Sequence, residues 1–145
     1  MNSKFEHLEP IQLPLVNRFY KDCRYSAKAN RSDEVYVLRH DRKIVAALRL
    51  SLKLEQHLFL RSMCVHPEYQ RNGLGAALLK ALGPVLAQQP VYCFPFTHLE
   101  GFYGNAGFER KSPESVASFI RDPWASYCRQ GRDIIIMTRS PKAST

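Results

Sequence analysis

The sequence predicts an α/β fold in which a mixed, mostly antiparallel sheet of about six to seven strands is flanked by helices. Residues 34–65 contain three runs with strand-like character, and the short connections between them indicate an antiparallel meander. From residue 74 onward, helical and strand-like patterns alternate along the chain. That alternation is typical of a sheet covered by helices.

The first half of the chain is expected to contain a strand, a helix and then the meander. Residues 4–9 alternate weakly in polarity and predict a first strand. Pro14 suits the first turn of a helix. Apolar residues follow it at helical spacing, namely Leu15, Val16, Phe19, Tyr20 and Cys23. Further strands are predicted over 34–40, 43–54 and 58–65, with Asp41-Arg42 as the turn of a hairpin.

The second half is expected to alternate helices and strands. A helix is predicted over 74–86, and Gly83-Pro84 should mark its fraying end or a kink. Its apolar stripe comprises Leu74, Ala77, Leu78, Ala81, Leu82 and Val85. The elements predicted after it are a buried strand over 90–96, a short helix over 100–106 closed by Gly107, a strand from Phe108, a helix start at Ser112-Pro113 and a last strand over 133–139.

Length and composition indicate one globular domain over residues 1–145. No apolar run approaches the ~20 residues that cross a bilayer, and the first residues lack the apolar region of a signal peptide. The four cysteines show no C-x-x-C spacing, which argues against a zinc site and a disulfide framework. We therefore expect no metal, no membrane contact and a cytoplasmic location.

The most informative stretch is the glycine loop, which we define as residues 70–75 with the sequence Gln-Arg-Asn-Gly-Leu-Gly. It follows a predicted strand and opens a predicted helix, so its backbone N–H groups and the helix dipole favour an anion such as a diphosphate. The spacing is not the G-x-G-x-x-G of a dinucleotide site, and no G-K-[ST] follows as in a P-loop.

Residues 65–75 resemble the acyl-CoA signature of the GNAT N-acetyltransferase superfamily, [QR]-x-x-G-x-[GA] preceded by V-x-P. Residues 102–108 resemble that family's later Y-x-x-x-G-F element. The resemblance covers residues 34–112 well. It implies a GNAT-like sheet in which the strand ending at Val65 and the strand 90–96 splay apart around acyl-CoA. It also implies transfer of an acetyl group from acetyl-CoA to a primary amine by direct attack.

The resemblance also implies roles for particular residues. Main-chain groups of Met63, Cys64 and Val65 would pair with the pantetheine arm, and an N–H near Cys64 would steady the oxyanion. Tyr103 would contact the cofactor and, as general acid, protonate the departing thiolate. The residues expected at the diphosphate are Gln70, Arg71, Asn72, Gly73, Leu74, Gly75 and Ala76, with Lys80 as a further cation.

Two chemical questions stay open at this stage. Cys64 raises the alternative of an acetyl-cysteine intermediate, but no base stands beside it in the sequence, so a structural thiol is favoured. The general base for the amine is also unassigned, because the strand before V-x-P carries no carboxylate. The candidates are His98, which we place in the site, and Glu34, Glu100 or a water chain.

The net charge of +8 fits a partner with several negative charges, such as CoA itself. The basic residues are spread along the chain, so a nucleic-acid partner is not expected. Basic residues that recur near the first helix are Arg18, Lys21, Arg24, Lys28 and Arg31. They are a solvated face or a surface for an acidic acceptor or partner. The alternative function is a noncatalytic acyl-CoA sensor or scaffold with such a surface, and a homodimer also stays open.

Overall fold

The computed structural model describes residues 3–53 and 57–141 of the chain. The strands are β1 (Ser3–Leu8), β2 (Glu34–His40), β3 (Lys43–Lys53), β4 (His57–Val65), β5 (Val91–Cys93), β6 (Glu109–Lys111) and β7 (Ile136–Arg139). The α-helices are α1 (Leu13–Asp22), α2 (Leu74–Ala81), α3 (Gly83–Leu86), α4 (Glu100–Gly104) and α5 (Ser118–Arg129). Short 3-10 helices occupy Pro10–Gln12, Pro67–Tyr69, Thr97–Leu99 and Pro113–Ser115.

Strand pairing confirms the predicted mixed, mostly antiparallel sheet. Within the described residues the sheet has seven strands in the order β1-β2-β3-β4-β5-β7-β6. The pairs β1/β2, β2/β3, β5/β7 and β6/β7 are antiparallel. The pair β4/β5 is parallel and joins Leu58 to Val91 and Phe59 to Tyr92. The splay of these two strands around a ligand stays a prediction.

The chain divides into two units, and the single domain over 1–145 likewise stays a prediction. The first unit comprises the described residues up to Leu52 together with residues 60–83. Residues 44–50 of β3 are all buried, as expected for a strand covered on both faces. The core between this sheet and α1 consists of Leu8, Val16, Phe19, Tyr20, Ala29, Val35, Val37, Ile44 and Ala47.

Two details of the first unit differ from the sequence prediction. Leu15 belongs to the predicted apolar stripe of α1, but it is 47% exposed. The predicted end of β3 at Leu54 lies outside the described residues. The hairpin turn is as predicted, and Asp41 adopts φ +57°, a left-handed conformation that aspartate tolerates better than most residues.

The helix predicted over 74–86 is two helices, α2 and α3. The break lies at Leu82, two residues before Pro84, which cannot donate a backbone hydrogen bond and crowds the preceding turn. The buried face also differs, because Ala77 is exposed whereas Leu79 and Leu86 are buried. Helix α2, whose first two residues are the last two of the glycine loop, begins at the predicted residue.

The second unit comprises Lys53 and residues 57–59 and 84–141 of the described chain. Its core consists of Phe59, Ile120 and Ile136, with Tyr92, Phe94, Val116, Phe119 and Trp124 packed against them. The strand predicted over 90–96 is shorter in the structure and consists of β5 alone. The prolines at 90 and 95 shorten it, because proline donates no hydrogen bond to a neighbouring strand. Phe96 forms only an isolated bridge with Ile134.

Two further boundaries in the second unit were predicted wrongly. The Ser112-Pro113 signal begins a 3-10 turn rather than an α-helix, and the Ser112 side chain makes no capping hydrogen bond. The last strand begins at Ile136 rather than at residue 133. By contrast, Gly107 has φ +93° beyond α4, so the predicted left-handed closure is confirmed.

Candidate active site

The glycine loop is shaped by two residues with left-handed backbone. It follows the 3-10 turn Pro67–Tyr69, and its Arg71 and Gly73 have φ +69° and +73°. Gly73 is the residue that precedes the first turn of α2. Left-handed residues alternating with ordinary ones turn successive N–H groups toward one side, which is the geometry of an anion-binding nest.

The first turn of α2 leaves backbone donors without acceptors inside the helix. The first intrahelical bond runs from the N–H of Ala77 to the carbonyl oxygen of Gly73, at 3.0 Å. The N–H groups of Leu74, Gly75 and Ala76 precede it and have no intrahelical acceptor. No side chain caps this end of the helix. The loop therefore presents unpaired donors at the positive end of the helix dipole, where a phosphate binds well.

The space around Gly73 is open. A Cβ atom built at Gly73 would meet no heavy atom within 4 Å, so its backbone conformation, rather than crowding, explains the glycine. Gly75 is buried in the first turn, and Arg71 is exposed. An open approach beside unpaired N–H donors fits a diphosphate, which needs room as well as donors.

Two polar side chains of the loop bond to main-chain oxygens. The side-chain amide of Gln70 donates to the carbonyl oxygen of Val65 at 3.3 Å. The amide of Asn72 donates to the carbonyl oxygens of Tyr69 and Gln70 at 3.1 and 3.4 Å. These bonds brace the loop, so Gln70 and Asn72 serve its shape. Their predicted contact with a cofactor stays a prediction.

The end of β4 carries the residues predicted to face the pantetheine arm. Met63, Cys64 and Val65 are half-buried. Burial, together with a smaller contribution from the adjacent Cys23 thiol, raises the pKa of the Cys64 thiol to about 12. Cys64 is therefore a protonated thiol near neutral pH, which supports its structural interpretation over a covalent intermediate.

Ser62, on the same strand, has φ +57°, which is rare for a residue with a side chain. The hydroxyl of Tyr20 donates to its carbonyl oxygen at 2.9 Å, and Nε of Arg49 lies 3.0 Å from its Oγ. Arg49 also pairs with Asp33 at 2.8 Å, and Ser51 donates to the same carboxylate at 2.6 Å. We call these five residues the Ser62 network.

The sequence prediction overlooked the Ser62 network as a functional feature. One signal was available, because Arg49 is a charged residue inside the otherwise apolar run of β3, where a buried charge requires a partner. Asp33, by contrast, appeared only as part of a loop. Nothing in the local sequence indicates that Ser62 adopts a left-handed conformation.

Tyr103 lies in α4 of the second unit and is 6% exposed. Its ring makes edge contacts with Phe102 and Phe108, at centroid distances of 5.1 and 5.7 Å. Its carbonyl oxygen accepts hydrogen bonds from the N–H groups of Ala106 and Phe108, beyond the end of α4. The Y-x-x-x-G-F element thus forms a local unit that fixes the position of the tyrosine.

The candidate bases occupy different settings. His98 is exposed and stacks on Phe96, with ring centroids 5.9 Å apart. Glu100 accepts from Arg110 at 3.2 Å. Glu34 bonds to Nε2 of His7 at 2.6 Å, beside an opening of about 250 Å³. Of these three candidate bases, only His98 forms no ion pair with another of the described residues.

The sequence of this chain also matches the model of a known protein family. The family model described as "Acetyltransferase (GNAT) domain" matches residues 31–110, more than half of the chain. The chain belongs to the GNAT acetyltransferase family. The resemblance inferred from the two motifs is thereby confirmed, and family membership indicates acyl transfer as the general class of reaction. No curated protein matches the chain.

Solved structures of GNAT proteins share the fold at low sequence identity. The ribosomal-protein-S18-alanine N-acetyltransferase from Escherichia coli has a TM-score of 0.70 at 18% identity, covering 99% of this chain and 97% of that one. N-acetylglutamate synthase from Neisseria gonorrhoeae, complexed with coenzyme A and N-acetyl-glutamate, has a TM-score of 0.71 at 14% identity. The alignment covers 99% of this chain and 36% of that one. PaiA N-acetyltransferase from Thermoplasma acidophilum, in complex with coenzyme A, has a TM-score of 0.61 at 11% identity. The alignment covers 97% of this chain and 99% of that one.

None of the helices in residues 3–53 and 57–141 is long and apolar enough to cross a membrane. The same residues contain no group of three or more histidine, cysteine, aspartate or glutamate side chains that could hold a metal ion.

Proposed function

We propose that this GNAT protein is an N-acetyltransferase that moves an acetyl group from acetyl-CoA to a primary amine of a small molecule or a peptide. The observation that carries the proposal is the uncapped first turn of α2 behind the left-handed Gly73. Its unpaired N–H groups and the open space beside Gly73 suit a negatively charged diphosphate. A cytoplasmic location, expected from the cysteines, belongs to the same proposal.

Cofactor binding is assigned mainly to backbone. The N–H groups from Arg71 to Ala76 would donate to the diphosphate, while the side chains of Gln70 and Asn72 keep the loop in shape. The exposed side chains of Arg71 and Lys80 add positive charge. The main chain of residues 63–65 would pair with the pantetheine arm and orient the thioester, and acetyl-CoA supplies an acetyl group already activated for attack.

Proton transfers are assigned to two side chains. Tyr103 would give its phenolic proton to the thiolate sulfur as the C–S bond breaks. An alkylamine has a pKa near ~10.4, so a base must accept its proton before or during attack. We assign that role to His98, directly or through water, because its imidazole is exposed and histidine is the side chain that most often serves as a general base. Glu34 and Glu100 are engaged with His7 and Arg110.

The structural neighbours favour an amine acceptor without selecting one. One neighbour is named for an alanine of a ribosomal protein, and another is complexed with N-acetyl-glutamate. A peptide amine and an amino-acid amine are thus both represented on this fold. Both classes belong in the first acceptor screen.

The alternative is a noncatalytic acyl-CoA sensor or scaffold, and one observation favours it. Five basic side chains on α1 and the loop after it are exposed, and none of them joins an ion pair in the described part of the chain, namely Arg18, Lys21, Arg24, Lys28 and Arg31. Such a surface suits an acidic protein partner. The same surface could equally receive an acidic acceptor, in which case the protein is an enzyme.

A thiol-release assay with acetyl-CoA and a panel of amines tests the proposal. The wild type should release CoA only when an accepted amine is present. Tyr103→Phe should lower kcat by about 100-fold or more, because it removes the proton donor. Tyr127→Phe is the matched control, since Tyr127 lies in α5 under the guanidinium of Arg132, and it should leave kcat unchanged. Binding of CoA without turnover on any amine would support the sensor instead.

A further inference from the structure

Ser62 interrupts β4 with a backbone conformation that costs energy. A strand residue has φ near −120°, whereas Ser62 has φ +57°. A residue with a Cβ atom is strained in this region, because the Cβ atom lies too close to the following carbonyl oxygen. A single left-handed residue also acts like a bulge, because it redirects the main chain that follows it, here Met63 and Cys64.

Two side chains from other elements hold Ser62 in this conformation. The hydroxyl of Tyr20 in α1 donates to its carbonyl oxygen at 2.9 Å. Nε of Arg49 in β3 donates to its Oγ at 3.0 Å. Tyr20 has no exposed surface, and burial raises the pKa of its phenol far above the ordinary value. The hydroxyl therefore stays protonated, and a donor, near neutral pH.

Arg49 is itself fixed in place. One of its terminal nitrogens lies 2.8 Å from Oδ2 of Asp33 and 3.2 Å from the carbonyl oxygen of Lys28. Asp33 also accepts from the hydroxyl of Ser51 and the N–H of Asn30. The side chains of Arg49 and Asp33 are 10% and 3% exposed. The guanidinium cannot rotate away without leaving a buried carboxylate without its ion partner, so this ion pair restrains its contact with Ser62.

We propose that Tyr20 and Arg49 are positioning residues for acyl transfer, which hold Ser62 left-handed and thereby aim the main chain of Met63 and Cys64 at the thioester. This inference rests on the proposed function. Neither side chain needs to touch substrate, because the effect passes through the backbone of Ser62. Rate is sensitive to such positioning, since a displacement of about 1 Å at a reacting group costs about 100-fold in rate.

The first test is Tyr20→Phe, which removes one hydroxyl and keeps the ring. We expect kcat to fall by about 10-fold or more, while KM for acetyl-CoA and the Kd of CoA stay within about threefold, because the diphosphate donors are untouched. Tyr36→Phe is the matched control at another buried tyrosine and should leave kcat, KM and Kd unchanged. A kcat within threefold of wild type, or a parallel rise in Kd for CoA, would overturn the inference.

The second test is rescue by Ser62→Gly, because glycine adopts positive φ without a steric cost. In the Ser62→Gly background, Tyr20→Phe should reduce kcat by less than in the wild type. Urea denaturation of the wild type, the two single variants and the double variant should give midpoints in which the effects of Tyr20→Phe and Ser62→Gly are coupled with the same sign. This measurement does not depend on activity. Equal effects of Tyr20→Phe in both backgrounds would contradict the positioning role. A wild type without turnover, but with coupled midpoints, would count against the proposed function alone.

Discussion

Gly73 and Ser62 both have left-handed backbone, at φ +73° and +57°, but the molecule maintains the two conformations in different ways. At Gly73 no side chain is present and no heavy atom lies near an added Cβ, so the conformation is maintained by the residue type. At Ser62 the residue type opposes the conformation, and hydrogen bonds from Tyr20 and Arg49 compensate.

This difference separates two tasks. On the proposed function, the glycine loop would bind CoA through backbone donors that come from consecutive residues, so this binding should tolerate changes elsewhere in the chain. The Ser62 network combines residues from α1, from the loop before β2 and from β3, so its function depends on tertiary structure. We expect substitutions in the loop to change CoA affinity, and substitutions in the network to change stability and the rate of transfer.

The largest effect is expected from Arg49→Met. It removes the guanidinium and leaves the buried carboxylate of Asp33 without its ion partner. We expect a loss of about 3–5 kcal/mol in the free energy of unfolding, measured by urea denaturation. Arg18→Met changes an exposed arginine and should stay within about 0.5 kcal/mol of wild type. Similar losses in both variants would show that the network contributes little to stability.

A smaller effect is expected at the glycine loop from Gly73→Ala. Alanine fits the space but must adopt φ +73°, so the free energy of unfolding should fall by about 1–2 kcal/mol. Gly101→Ala lies within α4, also with open space and without positive φ, and should be neutral or stabilising. If both substitutions have the same effect, the backbone of Gly73 is not the reason for glycine at that position.

The pH dependence of stability tests the network without removing its arginine. Burial alone would raise the pKa of Asp33, but hydrogen bonds from Ser51, the Asn30 N–H and Arg49 outweigh it and lower that pKa below its ordinary value. The ionised carboxylate therefore stabilises the fold above the unfolded pKa of ~3.9, and this contribution is lost as the pH falls through the folded pKa.

The matching variant is Asp33→Asn, which keeps the shape and removes the titration. The wild type should lose stability as the pH falls below about 4, measured as the free energy of unfolding at closely spaced pH values. Asp33→Asn should be less stable near neutral pH and show a shallower loss in acid. An unchanged slope would mean that Asp33 does not titrate as part of the network.

The sequence predicted those parts of the protein that depend on consecutive residues. The left-handed glycine before α2 and the closure at Gly107 both follow from local glycine chemistry, and the two motifs led to the correct family. Boundaries near proline were less accurate, since the shortening of β5 and the break before Pro84 depend on how each proline meets its neighbours. The left-handed Ser62 could not be predicted, because its supporting residues are distant in sequence.

The central claim is that backbone donors around Gly73 bind the diphosphate of CoA, and calorimetric titration of CoA into Gly73→Asn and Gly73→Asp tests it most directly. Asparagine and aspartate have nearly the same shape and both tolerate left-handed backbone, so the two variants differ mainly in one negative charge. The wild type and Gly73→Asn should bind CoA, and Gly73→Asp should bind at least about 10-fold more weakly than Gly73→Asn. Equal affinities of the two variants, or a wild type that does not bind CoA, would contradict the account.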